Sequence, residues 1–212
     1  MHNKKLVLCF LILILMVSVG LEAWYLREMM VYTYQTTNIE DYGVSLKYPR
    51  AYENVEKEDT NVEQISSQIT SIATETEKET SGDKFTEFTK ELLNVKSSVS
   101  DITLLIEGLK TEKVNIPIEE ICKNYIVMFK IFNSSLTVDS TKYEEVEVDG
   151  KKGGRVEIYT QLRKDQTSPM GIIAYLFPLD DREITITFMG TKKLFEDGKD
   201  EIQKIIDSVK FE

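Results

Sequence analysis

The chain has 212 residues, enough for one domain with targeting and linker segments beside it. Its 36 acidic and 26 basic residues give a formal charge of −10, which disfavours nucleic acid and anionic lipid head groups as partners. Cys9 and Cys122 are the only cysteines and His2 the only histidine. Beyond the N-terminal run there is thus one thiol and no imidazole. That excludes an intramolecular disulfide, Ser-His or Cys-His catalysis and a His/Cys zinc site there.

Lys4 and Lys5 precede an apolar run from Leu6 to Val19, the pattern of a secretory n-region and h-region. Counted through Leu26 the stretch has 21 residues, enough to span a bilayer as a helix. The lysines place its start in the cytoplasm and the C-terminal bulk outside. Two fates stay open. Small residues at Gly20 and Ala23 offer cleavage points, whereas Trp24 and Tyr25 suit the outer interface of a retained anchor. Cys9 has no small residues before it and does not read as a lipid-attachment site. The expected division is a signal or membrane anchor over 1–30, a tether over 31–41, and a domain over 42–212 with a polar insertion at about 55–100. The part after Met30 has 23 basic and 34 acidic residues, a formal charge of −11.

Gly43 to Tyr48 alternates, with Val44, Leu46 and Tyr48 on one face, and Pro49 ends this first strand. Glu56 to Gly82 is rich in Thr, Ser and Glu. Ile65, Ile69 and Ile72 with a Thr60/Glu63 capping box spell a marginal helix or a mobile insert. Phe85, Phe88, Leu92 and Val95 predict a short helix over 83–96. Ile102, Leu104 and Ile106 predict a strand closed by Gly108. Asn115-Ile116-Pro117 opens a helix, with Glu119 and Glu120 at its positive end. Its apolar stripe is Ile118, Ile121, Tyr125, Met128, Phe129 and Phe132. A strand with Val146 and Val148 inward and Glu145, Glu147 and Asp149 outward comes next. A turn from Asp149-Gly150 through Gly154 leads to a return strand, 155–162, with Val156 and Ile158 inward. Gly171 to Phe177 is apolar on both faces, as in a central strand. Pro178 to Arg182 turns the chain into a strand over 183–189. A last helix carries Ile202, Ile205, Ile206 and Val209.

A consecutive meander with helices before and after it requires an antiparallel sheet flanked by helices, an α+β fold of α/β/α layers preceded by one N-terminal transmembrane or signal helix. Three motifs, Gly43 to Pro49, Val148-Asp149-Gly150-Lys151 and Ile205 to Phe211, carry a resemblance to the PsbP-like superfamily. That superfamily includes the photosystem extrinsic subunit, DcrB-type envelope proteins and a Ran-binding nuclear-import factor. The resemblance covers residues 42–49 and about 100–211, with 55–100 as an insertion. It implies a non-catalytic binding or assembly role, often at the outer face of a membrane, and supplies no catalytic residue to carry over. The histidines that hold metal in the photosystem branch have no match here.

Carboxylates are the remaining chemistry. Asp197-Gly198-Lys199-Asp200-Glu201 lacks the alternating ligands and distant Glu of a calcium loop and reads as helix capping. Asp180-Asp181 reads as turn chemistry. Glu145, Glu147 and Asp149 read as a solvated edge guarding against pairing. Cys122, on the apolar side of its helix, reads as a buried inert thiol. Asn133-Ser134-Ser135 is a glycosylation sequon. Gly150, Gly153 and Gly154 belong to a hairpin and form no phosphate loop. No catalytic, metal or cofactor residue is expected. The function expected is a membrane-tethered extracytoplasmic binding or assembly module in the cell membrane, or secreted after cleavage. Its partners are the membrane, through the N-terminal helix, and a protein of unknown identity. The alternatives are a carboxylate-based envelope enzyme and a structural or regulatory component of an envelope complex.

Overall fold

The computed structural model describes residues 21, 25, 29, 33–55, 89–111, 116–134, 136–161 and 168–212. The run from Leu6 to Val19 lies outside these residues. So do the helix expected around Ile65, Ile69 and Ile72 and most of the polar insertion. Among the described residues no helix is long and apolar enough to cross a membrane.

The elements are β1 (Tyr34–Ile39), β2 (Val44–Pro49), β3 (Tyr52–Asn54), β4 (Lys90–Ser97), β5 (Thr103–Lys110), α1 (Ile118–Phe132), β6 (Val138–Val148), β7 (Lys151–Thr160), β8 (Met170–Pro178), β9 (Arg182–Thr191), α2 (Lys192–Asp197), α3 (Lys199–Asp207) and β10 (Lys210–Phe211). They build two antiparallel sheets. The larger has seven strands in the order β3-β4-β5-β9-β8-β7-β6, and the smaller has three, β1-β2-β10. The α+β class and the β6–β9 meander are as the sequence patterns require.

Both faces of the large sheet are apolar, and each has its own cover. On one face, Leu104, Ile106, Ile173, Phe177, Ile184, Ile186 and Phe188 meet Val44, Leu46 and Phe211 of the small sheet and Ile202, Ile205 and Ile206 of α3 in one core. On the other, Val156, Ile158, Ile172, Ala174 and Leu176 pack under Cys122, Ile126 and Phe129 of α1. β8 contributes to both cores and is buried from Gly171 to Phe177, which is why its sequence shows no alternation.

Several expectations are corrected. Residues read as a tether include β1, which pairs with β2 from Tyr34↔Pro49 to Ile39↔Val44. The end of the helix expected over 83–96 is a strand. In β4, Val95 faces the core beside Leu104 of β5, and a bulge between Glu91 and Leu93 breaks the alternation that would have signalled it. β5 does not close at Gly108 but runs through it, paired with β9 as far as Lys110↔Arg182; the glycine is there because it lies under the Tyr42 ring, 2.5 Å from where a Cβ would stand. The turn after β6 is only Asp149-Gly150, with φ of 50° and 72°. Two left-handed residues make the tight hairpin turn that matches strand twist, and Lys151 to Gly154 belong to β7. Val156 and Ile158 face α1, whereas Val146 and Val148 face the opposite core, so the inward residues of this hairpin serve two faces. The α1 stripe centres on Cys122, Ile126 and Phe129, with Ile118, Ile121 and Tyr125 at its flanks. Val209 is buried but lies past the end of α3.

Cys122 is fully buried, and burial pushes its thiol pKa up, with Glu145 adding to the effect. Its Sγ occupies the space above Gly154, where an added Cβ would overlap it. Helix and sheet approach closely there only because β7 has no side chain at that point. Gly154→Ala is expected to cost about 1–3 kcal/mol by overpacking. Most of that loss should be relieved in a Cys122→Ala background, since the two sites are in contact. Thermal melting of the single and double variants measures this, and equal losses in both backgrounds would refute the packing argument.

Candidate functional site

The large sheet is wider than the cover on either face, and a cleft opens where each cover ends. The larger cleft, about 750 Å³, lies between the β6–β7–β8 surface and the helices α2 and α3. Cross-strand register sets its floor. Glu144, Arg155 and Tyr175 stand in one row across β6, β7 and β8, and Lys142, Glu157 and Ile173 in the next. Charges therefore alternate both across and along the strands. Thr191 caps α2 by accepting the Leu194 N–H at 3.3 Å, which directs Lys192 and Phe195 toward the cleft wall.

Arg155 organises this floor. Its Nε donates to the Tyr175 hydroxyl at 3.1 Å, while its terminal nitrogens reach Glu144 at 2.7 Å and Glu157 at 2.5 Å. Tyr175 is buried, with its ring edge-on to Phe188 at 6.3 Å, so the polar network is anchored in the core. The hydrogen bond from Arg155 holds the Glu144 carboxyl below its usual range, helped by Lys142 at 3.6 Å. Burial and the neighbouring Glu157 push the Tyr159 hydroxyl up to about 12, and the Lys192 ammonium lies 5.7 Å from the centre of that ring. At neutral pH the floor is a fixed array of paired charges and neutral phenols.

The second cleft, about 290 Å³, lies beside α1 on the opposite face. Ile121, Tyr125 and Met128 form one wall, and Glu107, Thr185 and Glu183 project from β5 and β9. Burial, reinforced by Glu91 directly across on β4, raises the Glu107 carboxyl to about 7. Burial raises Glu183 as well. The ion pairs among the described residues include neither group. Sequence reasoning passed over Glu107, which occupies one of the polar positions in an alternating strand. Its only available signal was that both neighbours in β5, Ile106 and Gly108, face the other core.

The carboxylates singled out from the sequence do not converge. Asp197 to Glu201 is the junction of α2 and α3, where Gly198 is the cap residue and makes no side-chain cap bond. Asp200 and Glu201 fill the first turn of α3, and Glu201 accepts from Tyr52 at 2.8 Å and Ser100 at 3.3 Å. Asp181 pairs with Arg182 at 2.7 Å in the β8–β9 turn. Asp149 departs from the solvated-edge reading: its carboxylate accepts the Phe211 N–H at 2.9 Å and the Lys210 ammonium at 2.7 Å, fastening β10 to the hairpin. Glu145 and Glu147 are exposed on β6. The sequon residue Asn133 is buried, and its Nδ2 donates to the Phe129 carbonyl at 3.0 Å at the end of α1. No group of three or more metal-ligating side chains occurs among the described residues.

The solution structure of cyanobacterial PsbP (CyanoP) from Synechocystis sp. PCC 6803 aligns with this architecture at a TM-score of 0.56, covering 86% of this chain and 94% of that one. The fold is PsbP-like. Identity is 8%, so the likeness is one of fold. A crystal structure from Bacteroides thetaiotaomicron VPI-5482 aligns at a TM-score of 0.46 and 9% identity over 84% of this chain and 48% of its own, too distant to carry argument. No family model matches the chain, and no curated protein does. The PsbP-like expectation from the three motifs is met at the level of fold.

Glu107 makes stability depend on pH. Its folded pKa of about 7 lies above the ordinary value of 4.5, so between these limits the folded state holds a proton that the unfolded chain releases. Stability should therefore fall as pH rises through that window and level off above it. At about 1.4 kcal/mol per pH unit over these 2.5 units the total is on the order of 3 kcal/mol. Glu107→Gln should flatten the profile between pH 5 and 7, as read from urea midpoints. An unchanged slope would show that Glu107 is not the titrating group.

Proposed function

We propose that this protein is a non-catalytic binding or assembly module, held at the outer face of the membrane by its N-terminal segment, and that a protein partner docks at the α2–α3 cleft. The observation that carries this is the Arg155 network. An acid or base catalyst needs a carboxyl whose pKa lies near the working pH. Glu144 is displaced the other way, and both cleft carboxylates beside Arg155 are committed to it. Rigid, already paired side chains around an open cleft suit contact with a complementary surface, because little order is lost on docking. The PsbP-like fold and the apolar run at Leu6–Val19 support the same reading.

A carboxylate-based enzyme is the second reading, and one observation favours it: Glu107, raised to about 7, opens onto a cleft with Tyr125 and Glu183 nearby. One experiment separates the two. In cells producing full-length protein, a photo-crosslinking amino acid at Gln203, on the cleft wall, is expected to capture a defined protein, while the same group at exposed Lys130 of α1 captures none. The adduct should stay with membranes through a carbonate wash, which strips charge-held proteins but not a spanning helix. Absence of any adduct, together with complete loss of biological activity in a folded Glu107→Gln variant, would reverse the assignment.

A further inference from the structure

We propose that the outer edge of β6 takes up an extended, basic segment of a partner protein as an additional strand of the large sheet. β6 ends the seven-stranded sheet, and among the described residues no strand pairs with its outer edge. It has 11 residues, an open edge of roughly 37 Å at about 3.4 Å per residue. Edges of that length are ordinarily blunted by charged side chains, lysines above all, by proline, by bulges or by a covering loop; the charges of β6 are mostly acidic and repel only strands of like charge. β6 has no proline, and its single register irregularity lies at the far end, between Val138 and Ser140. Its only lysine, Lys142, is turned toward Glu144 in the cleft. The strand is also held ready. Pairing with β7 runs from Val138↔Thr160 to Val148↔Lys151, and the Tyr143 hydroxyl donates to Glu119 of α1 at 2.9 Å.

Charge selects the occupant. The strand carries Asp139, Glu144, Glu145 and Glu147 against Lys142. Arg155 occupies Glu144, which leaves Glu145 and Glu147 exposed. A second copy pairing antiparallel about Tyr143 would set Asp139 opposite Glu147 in both halves and join two acidic edges, which is unfavourable. A strand with lysine or arginine at alternate positions meets Glu145 and Glu147 with opposite charge, while main-chain hydrogen bonds complete the ladder. This deepens the binding reading above and rests on it.

Full-length protein in detergent micelles, labelled for amide hydrogen exchange, provides the test. The probes are nine-residue peptides of alternating Lys and Thr, alternating Glu and Thr, and two forms of the Lys peptide, one N-methylated on its Lys residues and one on its Thr residues. The Lys peptide should slow exchange of β6 amides, and added salt should weaken it. N-methylation in the docking register should abolish the effect. Glu145→Lys/Glu147→Lys is expected to lower affinity for the Lys peptide at least tenfold and shift preference to the Glu peptide. No protection of β6 by the Lys peptide, equal binding of both N-methylated forms, or β6 protected by self-association without peptide would each overturn the proposal. A partner crosslinked at Gln203 with β6 unprotected overturns strand addition alone. Neither signal removes the binding reading as well.

Discussion

One sheet with two apolar faces governs this molecule, because neither face can be left to water. On one side Val44, Leu46 and Phe211 of the small sheet and Ile202, Ile205 and Ile206 of α3 cover the centre of the large sheet. A fully buried side chain of this size is worth about 1.5–3 kcal/mol, so this layer outweighs any single polar contact. The cover is assembled from the two ends of the described domain. β10 pairs with β2 at Phe211↔Val44 and Lys210↔Ser45, and the Ser208 hydroxyl donates to the Lys47 carbonyl at 3.1 Å. Asp149 then ties β10 to the β6–β7 turn, so the small sheet is attached to the large one by a polar clasp as well as by burial. Arg182 adds a second tie by donating to the Glu212 carbonyl at 2.6 Å.

The clefts follow from the same constraint. α1 covers β7 and β8, and its face against β5 and β9 is where Glu107 and Glu183 lie. On the other side α2 and α3 cover β8 and β9 but stand away from β6, leaving room for the Arg155 array. The two openings differ in electrostatics. The α2–α3 cleft pairs its charges, and Arg155 keeps its neighbours ionised. The α1 cleft concentrates carboxyls without a paired cation among the described residues, so burial dominates there and favours the protonated form.

How much of this was legible depended on whether a residue's role is set locally. β8 and β9 were readable because burial on both faces, or on one, writes itself directly into composition. The stripe of α3 was readable for the same reason at helical period. β1 was not, since its burial alternates only between half-buried and exposed and its identity comes from pairing with β2. β4 was misread because Phe85, Phe88, Leu92 and Val95 keep helical spacing. Pairing with β5 overrode that spacing from Lys90 onward. β10, two residues long, exists only because β2 stands beside it. The site was less legible than the fold. Arg155, Glu144 and Tyr175 are far apart in sequence and meet through strand register, which periodicity does not specify.

Register also explains why one hairpin can serve core, cleft and edge together. In β7, Val156 and Ile158 point to α1 while Arg155 and Glu157 point to the cleft, so a slip by one residue would exchange them. Such a slip would bury a guanidinium under α1 and place Val156 opposite Glu144. The two-residue turn at Asp149-Gly150 guards against it, because only that spacing brings Gly153 opposite Val146 and Gly154 beneath Cys122. The glycine under the thiol and the left-handed turn thus fix the same register by independent means. The charge array of the cleft and the acidic edge of β6 inherit their positions from it. Side chains with no packing role of their own, such as Glu145 and Glu147, are held at defined places by residues that have one.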